Sequence, residues 1–483
     1  MLALSTGVQG LDQLLMGGLP SGHVYLIRGE PGTGKTTMAL QYLTKGREPH
    51  EKALYLTLSQ TASELAEIAT AHELDLTGVL VEDASILLPT ASAGDQTVLQ
   101  TSELELEHLI TRIQGQLDKM PGARIVLDSL IDVRLRSADV LTYRRLIRKL
   151  IDRIVNAGCT GLFLDSDPEY GGDSQIAALV HGVISLQRAL PGYGIAQRRL
   201  EINKMRAVFH SEGLHDFTIQ KNGVRVFPRL SAVHQVDAPN LQTISTGLPN
   251  LDEILGGGVE QGIVSMIYGQ SGVGKSTMSA VFLKSAILRG ERAVGFLFEE
   301  HPKTFVHRAD GVGLALSPAI EEGNLILEWL NAGEVLPGEF VHKVIDKLDR
   351  TNSSVLVIDS INGYLTAAAH KDHALAQLNT LLTVLRSRKA LTVLVAEQSG
   401  LLSNGRTGMD MSVMTDAIIL LRQYEWQSNI RRSVAVLKKR SGPHSTELRE
   451  LVLQPGRFDV IPIAAEQVEE IRDVNLLGSR SST

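Results

Sequence analysis

STGVQGLDQLLMGGLPSGHVYLIRGEPGTGKTTM, residues 5–38, returns as STGLPNLDEILGGGVEQGIVSMIYGQSGVGKSTM at residues 245–278. Each residue n of the first stretch answers residue n + 240 of the second without a gap, so the chain carries an internal duplication. Each copy reads as a short helix, a glycine-rich turn, an apolar strand (HVYLIRG, IVSMIYG), a second glycine loop and a helix. That second loop satisfies G-x-x-x-x-G-K-[ST] both times, as GEPGTGKT from Gly29 and GQSGVGKS from Gly269. Glycines there let backbone N–H groups turn inward around phosphate oxygens, and the following helix aims its positive end at the same charge. The phosphate-binding residues expected are Gly32, Thr33, Gly34, Lys35, Thr36 and Thr37 in the first copy. In the second they are Gly272, Val273, Gly274, Lys275, Ser276 and Thr277. Lys35 and Lys275 are expected on the β and γ phosphates of ATP, and the Thr36 and Ser276 hydroxyls on Mg²⁺.

Beyond the loops the correspondence loosens but keeps its order. KALYLTL (52–58) and AVGFLF (293–298) read as second strands, RIVLDS (124–129) and SVLVIDS (354–360) as third, GLFLDSD (161–167) and LTVLVAEQS (391–399) as fourth. Helices over 140–155 and 374–388 intervene, and RRLEINKMR (198–206) and RRSVAVLKKR (431–440) close the two copies as β segments. Strands alternating with helices predict an α/β fold whose mostly parallel, twisted sheets carry helices on both faces. Asp128 and Asp359 end third strands, where a carboxylate sits beside the phosphate loop and can hold Mg²⁺ through water. A strand-end turn residue is the plainer alternative for each. The domains expected are 1–230 and 244–463, with a linker at 231–243 and a flexible tail at 464–483.

Bulk properties bound the class. At 483 residues the chain exceeds one hydrophobic core. One cysteine, Cys159, rules out an internal disulfide framework and suits a reducing cytoplasm. No basic-then-apolar leader and no membrane-length apolar run is evident, so neither secretion nor membrane insertion is expected. A net charge of −7 offers no global attraction to nucleic acid. The basic run RLRSADVLTYRRLIRKLIDRI (134–154) could form a nucleic-acid surface. With Leu141, Leu146, Leu150 and Ile154 as its apolar stripe, a solvated or intersubunit helix face is favoured instead. The fourteen histidines show no zinc-ligand spacing.

Two P-loop copies, each led in by STG…LD…GG, together with MSVMTDAIILLRQYEWQSNIRRSVAVLKKRSG (411–442), resemble the KaiC family of circadian-clock ATPases and autokinases over about residues 5–460. The resemblance implies two tandem RecA-like P-loop NTPase domains, ATP and Mg²⁺ in both, and a homohexameric ring. It also implies a glutamate pair after each second strand. Glu299 and Glu300 match that pair and are expected to orient or deprotonate the attacking group. Ser59 and Gln60 stand there in the first copy, so its site is expected to hydrolyse ATP slowly, with Glu64 or Asp165 as a substitute carboxylate left open. Lys204 and Arg206 (NKMRA), like Lys438 and Arg440 (LKKRSG), alternate on a strand, and in the family that face meets the neighbour's ATP; a solvated strand face is the alternative. Ser412 matches the family's phosphorylated serine, whereas Val413 replaces the threonine and carries no hydroxyl; Thr407 and Thr415 lie nearby. Clock partners are not implied by the tail. The rival class is a RecA/RadA-like DNA-repair or recombination ATPase, against which the duplication and acidic balance weigh. A scaffold using ATP as a conformational switch is a third reading.

Overall fold

A computed structural model describes residues 2–83, 110–137, 139–166, 174–192, 194–230, 242–366, 368–397 and 411–464. Most of the expected linker, Thr407, and all but the first residue of the expected tail lie outside the described residues. The chain divides into two compact units with the main boundary between Arg229 and Leu230.

In the first unit the sheet strands are β1 (Val24–Gly29), β2 (Ala53–Thr57), β3 (Val79–Asp83), β4 (Arg124–Asp128), β5 (Thr160–Asp165), β6 (Gly182–Ala189), β7 (Gln197–Met205), β8 (His215–Gln220) and β9 (Gly223–Phe227). Their order across the sheet is β9-β8-β7-β6-β1-β5-β4-β2-β3. Strands β3 through β6 in that order are mutually parallel, and β7, β8 and β9 extend the sheet antiparallel. The second unit repeats this with β10 (Val264–Gly269), β11 (Ala293–Leu297), β12 (Leu325–Trp329), β13 (Val355–Asp359), β14 (Leu391–Glu397), β15 (Ala417–Trp426), β16 (Asn429–Lys439), β17 (Arg449–Gln454) and β18 (Arg457–Pro462), in the same spatial order. Both sheets are RecA-like, and the chain is two tandem copies of that fold.

Burial of both sheet faces explains the near-continuous apolar strands. Along β1, Val24 and Leu26 enter one core while Tyr25 and Ile27 enter the other. Along β10, Val264 and Met266 part from Ile267 in the same alternating way. The edge strands β3 and β12 and the hairpins β8–β9 and β17–β18 were absent from the sequence expectation. Their apolar runs are short, VLV in β3 and LIL in β12, and their positions are only partly buried, so they stand out less than the inner strands. Helix Val140–Asn156 buries Tyr143, Leu146, Ile147, Leu150 and Ile154, and exposes its arginines. Leu141, expected in the stripe, is 63% exposed because it lies in the first turn, just past the Asp139 cap. No described helix is long and apolar enough to cross a membrane.

Candidate nucleotide sites

Both phosphate loops leave the carboxyl end of the central strand and close onto a helix, Lys35–Leu43 in one unit and Lys275–Leu288 in the other. The left-handed backbone at Gly34 (φ 100°) and Gly274 (φ 104°) turns the chain into the helix. It is this φ that favours glycine; a Cβ at Gly34 would lie 2.6 Å from Ile219 Cδ1, and one at Gly274 2.7 Å from Leu453 Cδ1, side-chain ends that could shift. Lys35 and Lys275 are both buried. Lys35 Nζ donates to the carbonyls of Gly29 (2.5 Å) and Glu30 (3.0 Å). Lys275 Nζ donates to the Gln270 carbonyl (2.8 Å) and lies 3.7 Å from Glu397 Oε1. Burial lowers the Lys35 pKa, with Asp128, Asp165 and Glu30 opposing the shift.

The third-strand aspartates are brought to the loops in both units, but with different partners. Asp128 Oδ2 accepts from Tyr55 Oη at 2.6 Å and from Thr36 Oγ1 at 3.3 Å. Burial raises the Asp128 carboxyl, and those two hydrogen bonds with Lys35 pull it back. Asp359 hydrogen-bonds Ser276, and Gly295 holds the position matching Tyr55, so the tyrosine contact of the first repeat has no counterpart there. Its Oδ2 is buried without a hydrogen-bond partner, and burial with the nearby Glu300 and Glu299 pushes its pKa up to about 6. An orphaned buried carboxylate oxygen beside a serine hydroxyl fits a hard divalent cation such as Mg²⁺. Each of these aspartates precedes a cis peptide, Asp128–Ser129 and Asp359–Ser360.

Glu299 and Glu300 stand at the same strand ends. Glu299 Oε1 accepts a short hydrogen bond from Ser360 Oγ. Glu300 is bidentate with Arg308 (2.6 and 2.5 Å), whose Nε also donates to Thr277 Oγ1 at 3.2 Å. Ser59 and Gln60, at the matching place, line a cavity of about 550 Å³ together with the first phosphate loop, Asp128, Ser129 and Asp132. Gln60 Oε1 is buried with no partner. Of the two substitute carboxylates, Glu64 closes a capping box with Thr61 on an exposed helix start, and neither Glu64 nor Asp165 lines that cavity. Asp132, which the sequence reading passed over, does.

The basic pairs fold onto their own unit. Lys204 Nζ donates to the carbonyls of Ala177 (2.6 Å) and Val180 (2.9 Å), and Arg206 Nη2 to Ala178 (2.9 Å), at the end of helix Ser174–Leu179. Lys438 Nζ likewise donates to the carbonyls of Ser412 and, at 2.8 Å, Thr415, at the end of helix Met411–Met414. Arg206 and Arg440 are exposed, the latter 3.9 Å from Asp416. Ser412 is half-buried, Val413 exposed, and Thr415 wholly buried.

Two RecA-like sheets, each presenting a lysine-bearing phosphate loop against a strand-end aspartate, define a tandem P-loop ATPase. The model of the KaiC ATPase family matches residues 4–231 and again 244–465, and the chain belongs to that family. Similar known proteins include Circadian clock protein KaiC2 of Synechocystis sp., 27% identical over 472 residues that span 95% of this chain and 82% of the relative. Circadian clock oscillator protein KaiC of Prochlorococcus marinus is 28% identical over 93% of this chain and 91% of its own. That of Synechococcus elongatus is 27% identical over 95% and 88%.

Proposed function

We propose that this KaiC-family chain is a cytoplasmic, ring-forming ATPase, a homohexamer whose two repeats both bind ATP and whose second repeat carries most of the turnover and a serine autokinase activity. The observation that supports this division is the cluster of Glu299, Glu300 and Asp359 at one pair of strand ends, against Ser59, Gln60 and Asp128 at the other. Lys275 and the loop amides hold the triphosphate in line. Mg²⁺, when bound by Ser276 and Asp359 (Thr36 and Asp128 in the first repeat), would offset charge on the β and γ oxygens. Glu299, hydrogen-bonded by Ser360, takes a proton from the attacking water or from the Ser412 hydroxyl. Glu300, tied to Arg308, positions the loop helix through Thr277. Arg206 and Arg440 reach ATP on the neighbouring subunit, from strand ends that Lys204 and Lys438 fix to helix carbonyls.

The limits proposed for the two domains are 1–230 and 244–463. Incubation with Mg-ATP followed by intact-mass, peptide and native mass spectrometry tests the reading. A six-chain assembly retaining nucleotide, with one phosphate on Ser412, is expected; a fully active monomer with no added phosphate overturns it. Strong stimulation of turnover by single-stranded DNA, with a steep salt dependence, would favour the recombination-ATPase reading.

A further inference from the structure

The serine that follows the metal-site aspartate is shared by the two repeats, and in each it donates its hydroxyl hydrogen to a carboxylate, but from a different element. Ser360 Oγ donates to Glu299, which arrives from the end of β11. Ser129 Oγ donates to Asp132 Oδ2 at 2.6 Å, and Asp132 arrives from the helix Leu130–Leu135 after β4. The position of Asp132 is held in the second repeat by Gly363, where a Cβ would lie 2.7 Å from the Cβ of Phe298. Phe298 is fixed by edge contacts to Phe340 (5.3 Å between ring centroids) and Tyr364 (6.3 Å). The residue matching Phe298 in the first repeat is Leu58. One repeat therefore has a glutamate and a glycine where the other has a serine and an aspartate.

We infer that Asp132 is the catalytic carboxylate of the first site, doing from β4's helix what Glu299 does from β11. The inference rests on reading that cavity as an ATP site. Asp132 is half-buried and lines the cavity with Lys35, Thr36, Gln60 and Asp128. A purely helix-capping pair would have Ser129 Oγ accept a backbone N–H. Here Ser129 makes no side-chain cap bond and spends its hydrogen on the carboxylate. In the second repeat Ser360 Oγ accepts from Gly363 N at 3.3 Å while donating to Glu299, so donation to a carboxylate is what the two serines share. Held through Oδ2, Asp132 keeps Oδ1 for a water, and Gln60 Oε1, buried and unpartnered, offers that water a second acceptor. The water oxygen bonds to the γ-phosphorus as the bond to the β–γ bridging oxygen breaks, its electron pair leaving on ADP. The water proton passes to Asp132 and then to the departing phosphate.

The test uses the full-length chain carrying Glu299→Gln and Glu300→Gln, so that first-site turnover is read alone, with retained nucleotide measured alongside. Asp132→Asn keeps the shape and the bond to Ser129 but removes the base. It is expected to lower the residual rate about 100-fold with nucleotide retention unchanged. Adding Ser59→Glu, which returns a carboxylate from the end of β2, should restore part of that rate, a rescue that lost helix capping would not allow. An unchanged rate in Asp132→Asn, with nucleotide still held, overturns the inference and leaves the first site as an ATP-binding site. Failure of the first site to hold nucleotide even with Asp132 intact overturns the inference and that reading together.

Discussion

Asp128 and Asp359 occupy the same strand end in two copies of one fold, yet one accepts a tyrosine hydroxyl and the other keeps a buried oxygen with no partner. The Tyr55 hydroxyl lets the first repeat bury a carboxylate at low cost, because a hydrogen bond answers its charge. Gly295 denies the second repeat that bond and leaves Asp359 short of one ligand. The proposed division of labour predicts a matching difference: the satisfied carboxylate adds more to the stability of its unit, and the unsatisfied one gains more from a cation.

The comparison breaks most sharply at the loop lysines. Lys275→Ala is expected to remove most of the turnover, down to the residual rate of the first repeat, with the assembly intact, whereas Lys35→Ala chiefly weakens assembly. Steady-state hydrolysis paired with native mass would show it, and equal loss in both variants with an intact ring would abolish the asymmetry. Glu299→Gln should cost about 100-fold in turnover, while Gln60→Ala, which removes only an amide, should cost far less.

Acidity separates the aspartates next. Asp359, raised from 3.8 to about 6, must lose its proton to ligate a cation. Mg²⁺-dependent nucleotide binding by the second repeat should therefore weaken about fivefold between pH 6 and pH 5, and Asp359→Asn should flatten that profile in titration calorimetry. The folded chain holds this proton more tightly than the unfolded one. Metal-free, its contribution to stability is therefore complete below 3.8 and is lost as pH rises through about 6, the reverse of an ion-paired carboxylate. The smallest effect on turnover is expected from Tyr55→Phe, which should instead destabilise the first unit by about 1–3 kcal/mol in chemical denaturation.

Much of this was legible before any coordinates. The ungapped repeat marked two loops whose glycine, lysine and hydroxyl positions need a strand behind and a helix ahead, and the inner strands announced themselves as apolar runs ending in aspartate. Edge strands such as Val79–Asp83 were not legible, because a half-exposed strand needs only a short apolar run, here VLV, that a loop or helix could equally carry. The role of Tyr55 was not legible in KALYLTL, since nothing local tells which buried tyrosine meets a carboxylate across a parallel pair. Asp132 was not legible beside Glu64 and Asp165, because the second repeat has Gly363 at its place and so offers no counterpart acid. Its own signal, an acidic residue three positions after a strand-ending Asp-Ser, becomes visible once a helix is known to start there. The contacts of Lys204 and Lys438 were equally hidden, since strand periodicity gives a face but not the helix end it meets.

The strand position of Phe298 leaves a mark on how such a pair of domains can diverge. Its ring is held against Phe340 and Tyr364, and its Cβ would lie 2.7 Å from a Cβ at Gly363, so the second repeat has no room for an acid on the helix while it keeps the one on the strand. Leu58 carries a Cβ as well, so room for an acid there depends on the spacing of strand and helix and not on the size of the side chain alone.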